Sequence, residues 1–487
     1  LKFVCSGCRA FDAVTSLLIT PLLPAMTVSE RRDIVQIHGD IVVCRKRSRS
    51  RSKKRSSVEY ESIKFGPAGY DFSKPDPLPK EAQHRVQELL ESGRLFRYQG
   101  GGATDVADLE REFSEYIGLP YTMACNSGGC GIFLALKALG AKPGVRVLVN
   151  AWTLAPVPGA VVHAGATPIF VASDPERLCI DVDDLEATAV KSGAKILLLS
   201  YMRGQVPNMD RIMDIVNRLD LLLIEDCAHT LGGKWQLDGE KEHRHLGAFG
   251  AASVWSLQTN KSINCGEGGL VSTARKDVAG YITVATGSYG HFGMNGSSPD
   301  VGYMQEIYTG IPNMSMRMST VVAALARPQL QRLPTKLDAF KAHALHIREK
   351  FSRCPHIRIV TKPHYESGKE LIMWSSIQFE LLQFSGDMIR KVVDDLASVG
   401  IPMAWFGAPW KGFTSTLVDW KFAHADGEME EDLSATKSIA KVTSVTKALL
   451  DLPLYHTASW SKLVIDKVAD SIIDIVSSVA DSIGRES

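Results

Sequence analysis

Long apolar runs are missing from this 487-residue chain. No stretch of about 18 apolar residues occurs, so a membrane-spanning helix is not supported. Net charge is nearly absent as well, with 55 Lys+Arg against 54 Asp+Glu. The balance hides an asymmetry: residues 1–60 hold 12 Lys+Arg and 5 Asp+Glu, a net of +7, and the remainder is net −6. The body therefore lacks the positive field that drives binding to a phosphate backbone, which excludes a protein that coats nucleic acid. Paired cysteine spacing is scarce. Nine cysteines stand in apolar or loop contexts, as reduced thiols of an intracellular, cytoplasmic protein do. The one CxxC, Cys5–Cys8, has no second pair at zinc-ribbon distance, so it reads as two incidental cysteines and no metal site is expected. No internal repeat is present.

What is there begins with an arm. Leu1 opens the chain, and residues 11–28 are apolar but broken by Pro21 and Pro24, which suits a targeting remnant or upstream sequence. Arg45 to Arg55 carries eight positive residues in eleven. Charge this dense cannot pack, so residues 1–64 are expected to be a basic, Arg/Ser-rich, irregular arm. The folded body is expected to start between Phe65 and Pro79. From there the pattern alternates. Val145–Val149, Thr167–Val171, Lys195–Ser200, Leu221–Glu225, Ala252–Leu257 and Gly269–Ser272 read as strands. Glu81–Ser92, Asp105–Ile117, Val182–Ser192 and Met209–Leu219 read as helices. Near-continuous apolar strands between helices imply an α/β fold with a mostly parallel sheet, a large domain over 65–334. Helices are then expected at Ser319–Leu333 and Lys336–Phe351. Strands at Ile357–Val360 and Ile372–Leu381 and helices at Asp387–Val399 and Ser461–Ile483 make a smaller α+β domain over 335–487.

Three motifs carry chemistry. Asn126-Ser-Gly-Gly-Cys-Gly131 precedes a helical stretch; small residues there let backbone amides approach an anion, and the helix dipole favours a phosphate. The apolar run ending in Glu225-Asp226-Cys-Ala-His229 puts an acid at a strand's carboxyl end, where open α/β sheets bind ligands. Such an Asp can hold a pyridine nitrogen protonated. Trp255-Ser256 is followed by Lys261 in a polar loop and a Gly-rich turn to Gly269. A lysine fixed there suits Schiff-base chemistry, since desolvation lowers its pKa readily. Read singly, each has a plainer alternative: a Gly-rich helix entry, a helix cap, a surface lysine in a hairpin.

In this order the motifs resemble the DegT/DnrJ/StrS family of pyridoxal-phosphate-dependent sugar aminotransferases, from roughly Leu95 to Leu333 and less clearly beyond. Among its subgroups the chain looks closest to the 8-amino-3,8-dideoxy-octulosonate aminotransferase, through Cys265-Gly-Glu-Gly, Phe96-Arg-Tyr and the Trp-rich stretch near Trp405–Trp420. The resemblance implies the fold-type I aminotransferase architecture and pyridoxal 5'-phosphate as cofactor. It implies Lys261 as the residue that holds the cofactor and shuttles the proton, Asp226 as partner of the ring nitrogen, and His229 near the phenolic oxygen. Ser256 and the backbone of Gly129 and Cys130 would hold the phosphate. It also implies a homodimer in which Ser315 and Arg317 serve the partner's site. The implied reaction is ping-pong: glutamate or another amino acid gives its amino group, which passes to a keto or aldehyde sugar, nucleotide-linked or of octulosonate type. Lys261 where related dehydratases carry His argues for amino transfer.

The sequence departs from the family in four places. Gly129 replaces a phosphate-binding Thr. Leu154 replaces the ring-stacking aromatic, for which Trp152, two residues away, is expected to substitute in part. Ser315 replaces the Asn of Asn-x-Arg. Tyr201, in Tyr201-Met-Arg-Gly-Gln205, replaces a His. Two rival readings are a catalytically drifted, non-enzymatic binding or regulatory protein of the same fold, and an RNA-associated factor acting through the arm.

Overall fold

The computed structural model describes residues 34–37, 40–43, 71–72, 74–99, 104–408, 420, 422, 443 and 446–483. Cys5, Cys8 and the Arg45–Arg55 run lie outside them, as does most of the stretch between Trp405 and Trp420. The chain divides into two compact units, residues 1–63 and 64–487. In the first, β1 (Ile34–Ile37) and β2 (Asp40–Val43) pair antiparallel, so eight residues of the arm expected to be irregular are paired strand. Their β-branched Ile and Val content accounts for the pairing.

The second unit opens with α1 (Lys80–Ser92), α2 (Asp105–Ile117) and β3 (Tyr121–Cys125). Then α3 (Gly128–Ala138), β4 (Arg146–Asn150), α4 (Pro156–His163), β5 (Thr167–Val171), α5 (Val182–Ser192), β6 (Ile196–Ser200), α6 (Met209–Arg218) and β7 (Leu222–Asp226) alternate. The short β8 (Lys234–Trp235) and β9 (Arg244–His245) precede β10 (Ala252–Ser256) and β11 (Gly269–Thr273). The main sheet has the order β3-β11-β10-β7-β6-β4-β5, and only β11 runs against the others. β6, Ile-Leu-Leu-Leu-Ser, is buried along its whole length, as a central strand covered on both faces must be. One face packs on α2, α5 and α6 through Leu109, Leu185 and Ile212; the other packs on α3 and α7 (Lys276–Ala285) through Ile132 and Ile282. The helices are cut where their caps fall: Thr104, Ser127, Asp181 and Asn208 each accept a first-turn amide.

After α8 (Val301–Ile307) comes α9 (Thr320–Phe351), one continuous helix where two are expected. Pro328 and Pro334 lie inside it, and each removes a helical hydrogen bond at a typical cost of about 3 kcal/mol. Packing outweighs that cost. Leu330 and Leu333 sit in the core of the large sheet, while Phe340, Ala344, Ile347 and Phe351 sit in the core of the second sheet. The helix thus runs straight through the expected domain boundary at 334/335. The remaining elements are β12 (Ile357–Ile359), α10 (Pro363–Glu366), β13 (Glu370–Leu371), β14 (Ser376–Leu381), α11 (Gly386–Ser398), β15 (Ala404–Trp405), β16 (Leu449–Pro453) and α12 (Lys462–Ile483). The second sheet has the order β12-β14-β16-β15 and is antiparallel throughout. The strand expected from Ile372 starts at Ser376, because Ile372 and Trp374 leave the ladder to pack around α9 and Tyr365. Among the described residues no helix is long and apolar enough to cross a membrane.

Candidate active site

The topology delivers four strands to one place. Asn150, Ser200, Asp226 and Ser256 are the last residues of β4, β6, β7 and β10, all parallel, so their side chains gather at the carboxyl edge of the sheet. Register sets the pairing: Ser200 stands opposite Asp226. Ser200 Oγ donates to Asp226 Oδ2 at 2.8 Å and accepts from Thr153 Oγ1 at 2.7 Å. Asn150 fixes the Ser200 backbone through both its amide and its carbonyl, at 3.0 Å each. The Ala228 amide donates to Asp226 Oδ1 at 3.2 Å. Burial raises the Asp226 pKa above the usual carboxylate range, and these hydrogen bonds and the Lys261 charge act against that rise.

Lys261 meets the same edge from the loop after β10. Its Nζ stands 2.7 Å from Nε2 of His229, three residues beyond Asp226. The Arg203 amide donates to the other ring nitrogen, Nδ1, at 3.3 Å. Burial, with the charges of Lys261 and Arg203, holds the His229 pKa well below its usual value, so the ring is neutral. With Nδ1 accepting, the hydrogen-bond pattern assigns the ring proton to Nε2, facing the lysine. That arrangement requires the amine lone pair and therefore favours the neutral amine. Burial first, then the Arg203 guanidinium, pulls Lys261 down to about 8, with Asp226 opposing. A partly neutral amine beside a buried carboxylate is a nucleophile prepared for a carbonyl.

Arg203 holds φ 54 and ψ 27, a left-handed backbone costing of order 1–2 kcal/mol outside glycine, and this turn is what aims its amide at His229. Tyr201 in the same turn donates to Glu225 Oε2 at 2.7 Å. Glu225 also accepts the amides of Gly247, Phe249 and Gly250 at 2.7–2.8 Å, so it ties the strand to the next loop.

The helix entry lies against Ser256. A Cβ added at Gly128 would stand 3.0 Å from the Cβ of Ser256, and one at Gly269 only 2.3 Å from the Ser127 carbonyl. Glycine at both positions brings the first turn of α3 onto the ends of β10 and β11. The amides of Gly128 and Gly129 open the helix without intrahelical acceptors, and Ser127 Oγ takes the Cys130 amide at 3.1 Å. Beside Gly129 a Cβ would meet only Pro156, at 3.8 Å. An anion-ready helix entry, a buried carboxylate and an amine of lowered pKa fit pyridoxal phosphate at its phosphate, ring nitrogen and aldehyde.

One expectation is corrected. Trp152 offers no face to a ligand: it is wholly buried among Leu178, Met202, Phe406 and Leu449, its ring edge-on to Phe406 at 5.6 Å. Its neighbour Leu154 is half-buried against the same cluster. Ser315 and Arg317, expected to serve a partner's site, stand apart from Lys261 of their own chain. Ser315 has φ 55 and bonds Tyr289, and Arg317 Nη1 donates to the Gly287 carbonyl at 3.0 Å and lies over Phe96 and Tyr289. Their backbone does run beside the helix entry, through pairing of Arg317 with Cys125. Sequence reasoning missed Thr153, Ser200 and Arg203. Ser200 was visible as a polar residue ending an apolar strand; the other two carry no local signal.

Fold and site together define an aminotransferase of the pyridoxal-phosphate-dependent, fold-type I class. Comparison with known proteins makes this particular: residues 77–410 match the DegT/DnrJ/EryC1/StrS aminotransferase family, and the chain belongs to it. GDP-perosamine synthase of Caulobacter vibrioides is 30% identical over 298 residues, 61% of this chain and 74% of that protein. The spore coat polysaccharide biosynthesis protein SpsC of Bacillus subtilis is 32% identical over 268 residues, 53% of this chain and 64% of that protein, just under two thirds of its length. The crystal structure of 3-amino-5-hydroxybenzoic acid synthase shares the fold with a TM-score of 0.68 at 20% identity, over 83% of this chain and all of that one.

Proposed function

We propose that the chain transfers an amino group from an amino acid, glutamate first, to a keto or aldehyde sugar, nucleotide-linked or an octulosonate-type sugar acid, in a cytoplasmic setting. The observation that carries this is the Lys261–His229 contact at 2.7 Å beside the buried Asp226. When bound, pyridoxal phosphate supplies an electron sink for a carbanion at the carbon bearing nitrogen.

Each protein group has a separate task. Ser200, held by Thr153 and Asn150, keeps Asp226 aimed and hydrogen-bonded, so the carboxylate can hold a ring nitrogen positive. His229, its tautomer set by the Arg203 amide, donates its Nε2 proton in a hydrogen bond to the Lys261 Nζ lone pair and so holds the amine neutral and aimed. Lys261, its pKa lowered to about 8 by burial, would accept the proton that leaves the substrate carbon and return it to the carbon on the far side of the bridging nitrogen. Ser256 and the amides of Gly128 and Gly129 would hold a phosphate; the Cys130 amide, expected among them, is already bonded to Ser127 Oγ. Burial of Asp226 and His229 excludes water from the proton's path.

Dimerisation belongs to the same proposal, with Ser315 and Arg317 reaching the partner's site. Its support is the exposed apolar strip beside Arg317: Phe96, Tyr289 and Met314 are 44, 62 and 58% exposed. The test uses the full chain loaded with pyridoxal phosphate. Addition of L-glutamate should remove the visible-edge absorbance and release one 2-oxoglutarate per site, and a keto sugar should restore it. An unchanged spectrum with glutamate and with glutamine would refute amino transfer from these donors.

A further inference from the structure

We infer that the Arg203 guanidinium anchors a carboxylate of the substrate beside Lys261: the α-carboxylate of the amino donor or the acid group of a sugar acid. The inference rests on the cofactor-site reading above and deepens it. Arg203 reaches the reacting centre twice. Its amide bonds His229, which bonds Lys261, and its guanidinium is close enough to bear on the charge of both.

The guanidinium is fixed without being used up. Asp451 is its carboxylate partner among the described residues, Nε to Oδ2 at 3.3 Å, and the Phe406 ring lies 5.6 Å from its central carbon. Nε is buried and makes no hydrogen bond there, and the side chain keeps 15% exposure. Asp451 is itself engaged, accepting from Gln378 Nε2 at 2.6 Å. Behind the turn, Lys362 donates to the Gly204 carbonyl at 3.1 Å and to Gln205 Oε1 at 2.8 Å, and Gln205 donates to Gln378 at 2.6 Å. One buried network thus holds both the turn and Asp451, so the fork is pre-positioned.

A strained left-handed residue kept at a reaction centre is a functional signature. Chemistry selects the ligand. A guanidinium fork matches a planar carboxylate. In an α-amino acid that carboxylate is one carbon from the nitrogen that must reach Lys261, which is where Arg203 stands.

The test compares wild type, Arg203→Gln and Arg203→Gly as full, cofactor-loaded chains. Glycine adopts the same backbone freely, so it keeps the amide on His229 and isolates the guanidinium. Equilibrium binding is measured by calorimetry. One arm uses 2-methylglutamate, which lacks the α-hydrogen and does not turn over. The other uses gluconate against glucose, on protein carrying the aminated cofactor. Losing a charge-assisted fork should weaken binding roughly ten- to a hundredfold in both variants. Loss confined to 2-methylglutamate assigns the donor carboxylate, and loss for gluconate but not glucose assigns a sugar acid. Equal affinities in wild type and both variants, or wild type that binds neither carboxylate, overturns the inference. Wild type that takes up no cofactor sinks the cofactor-site reading instead, and the Arg203 comparison then runs on the unloaded chain.

Discussion

Lys261 should titrate as an amine of pKa about 8 in the unloaded chain, and this has a measurable size. An ordinary lysine, near 10.4, has roughly one amine in 2,500 neutral at pH 7; at about 8 the share is roughly one in eleven, a gain on the order of two-hundredfold. The causes are separable. Burial and the Arg203 charge lower the pKa, while Asp226 raises it. Competitive acetylation with trace anhydride, read by mass spectrometry of the Lys261 peptide, reports the neutral fraction at each pH. The profile should rise to a plateau with its midpoint near 8, and Asp226→Asn should move the midpoint lower. Stability gives an independent check. Between about 8 and about 10 the unfolded chain holds a lysine proton that the folded chain has released, so stability should rise with pH across that window, and Lys261→Met should remove the rise. A labelling profile still climbing at pH 10, parallel to surface lysines, would refute the reasoning.

The other expectations concern the carboxylate and the helix entry. Asp226→Asn removes an acid whose pKa is raised by burial, so the unloaded chain no longer bears a buried charge above that pKa. Its thermal midpoint at pH 7 should hold or rise, and its decline with rising pH should flatten, while amino transfer falls by roughly a hundredfold or more. A lower midpoint would contradict this. Gly129→Thr restores a hydroxyl where a Cβ meets only Pro156 at 3.8 Å, and cofactor titration should show binding tightened about tenfold. Gly269→Ala drives a methyl to 2.3 Å from the Ser127 carbonyl, and it should cost about 1–3 kcal/mol in melting experiments and loosen the cofactor.

Much of this architecture was legible because its strands are apolar and its motifs local. β4 to β7, β10 and β11 declared themselves as short apolar runs, and Lys261, Asp226 and His229 stood out as chemistry at strand ends. β3, Tyr-Thr-Met-Ala-Cys, escaped notice because Met and Ala carry little strand preference; its pairing with β11 decides its state. β16 was hidden by Asp451, whose buried partners come from Arg203 and Gln378, far away in sequence. Pro156, Pro158 and Gly159 masked α4, and Pro328 and Pro334 split α9 on paper where two cores hold it together. Thr153 and Arg203 entered the site only through the loop after β4 and a left-handed turn, whereas Ser200 is readable as the polar end of an apolar strand.

The central claim is that Lys261 carries the cofactor, and one measurement meets it directly: loading the full chain with pyridoxal phosphate, reducing with borohydride, and mapping the added mass by peptide sequencing. The pyridoxyl mass should fall on Lys261 in one copy per chain and be lost in Lys261→Arg. Stoichiometric labelling of another lysine, or none, would contradict it.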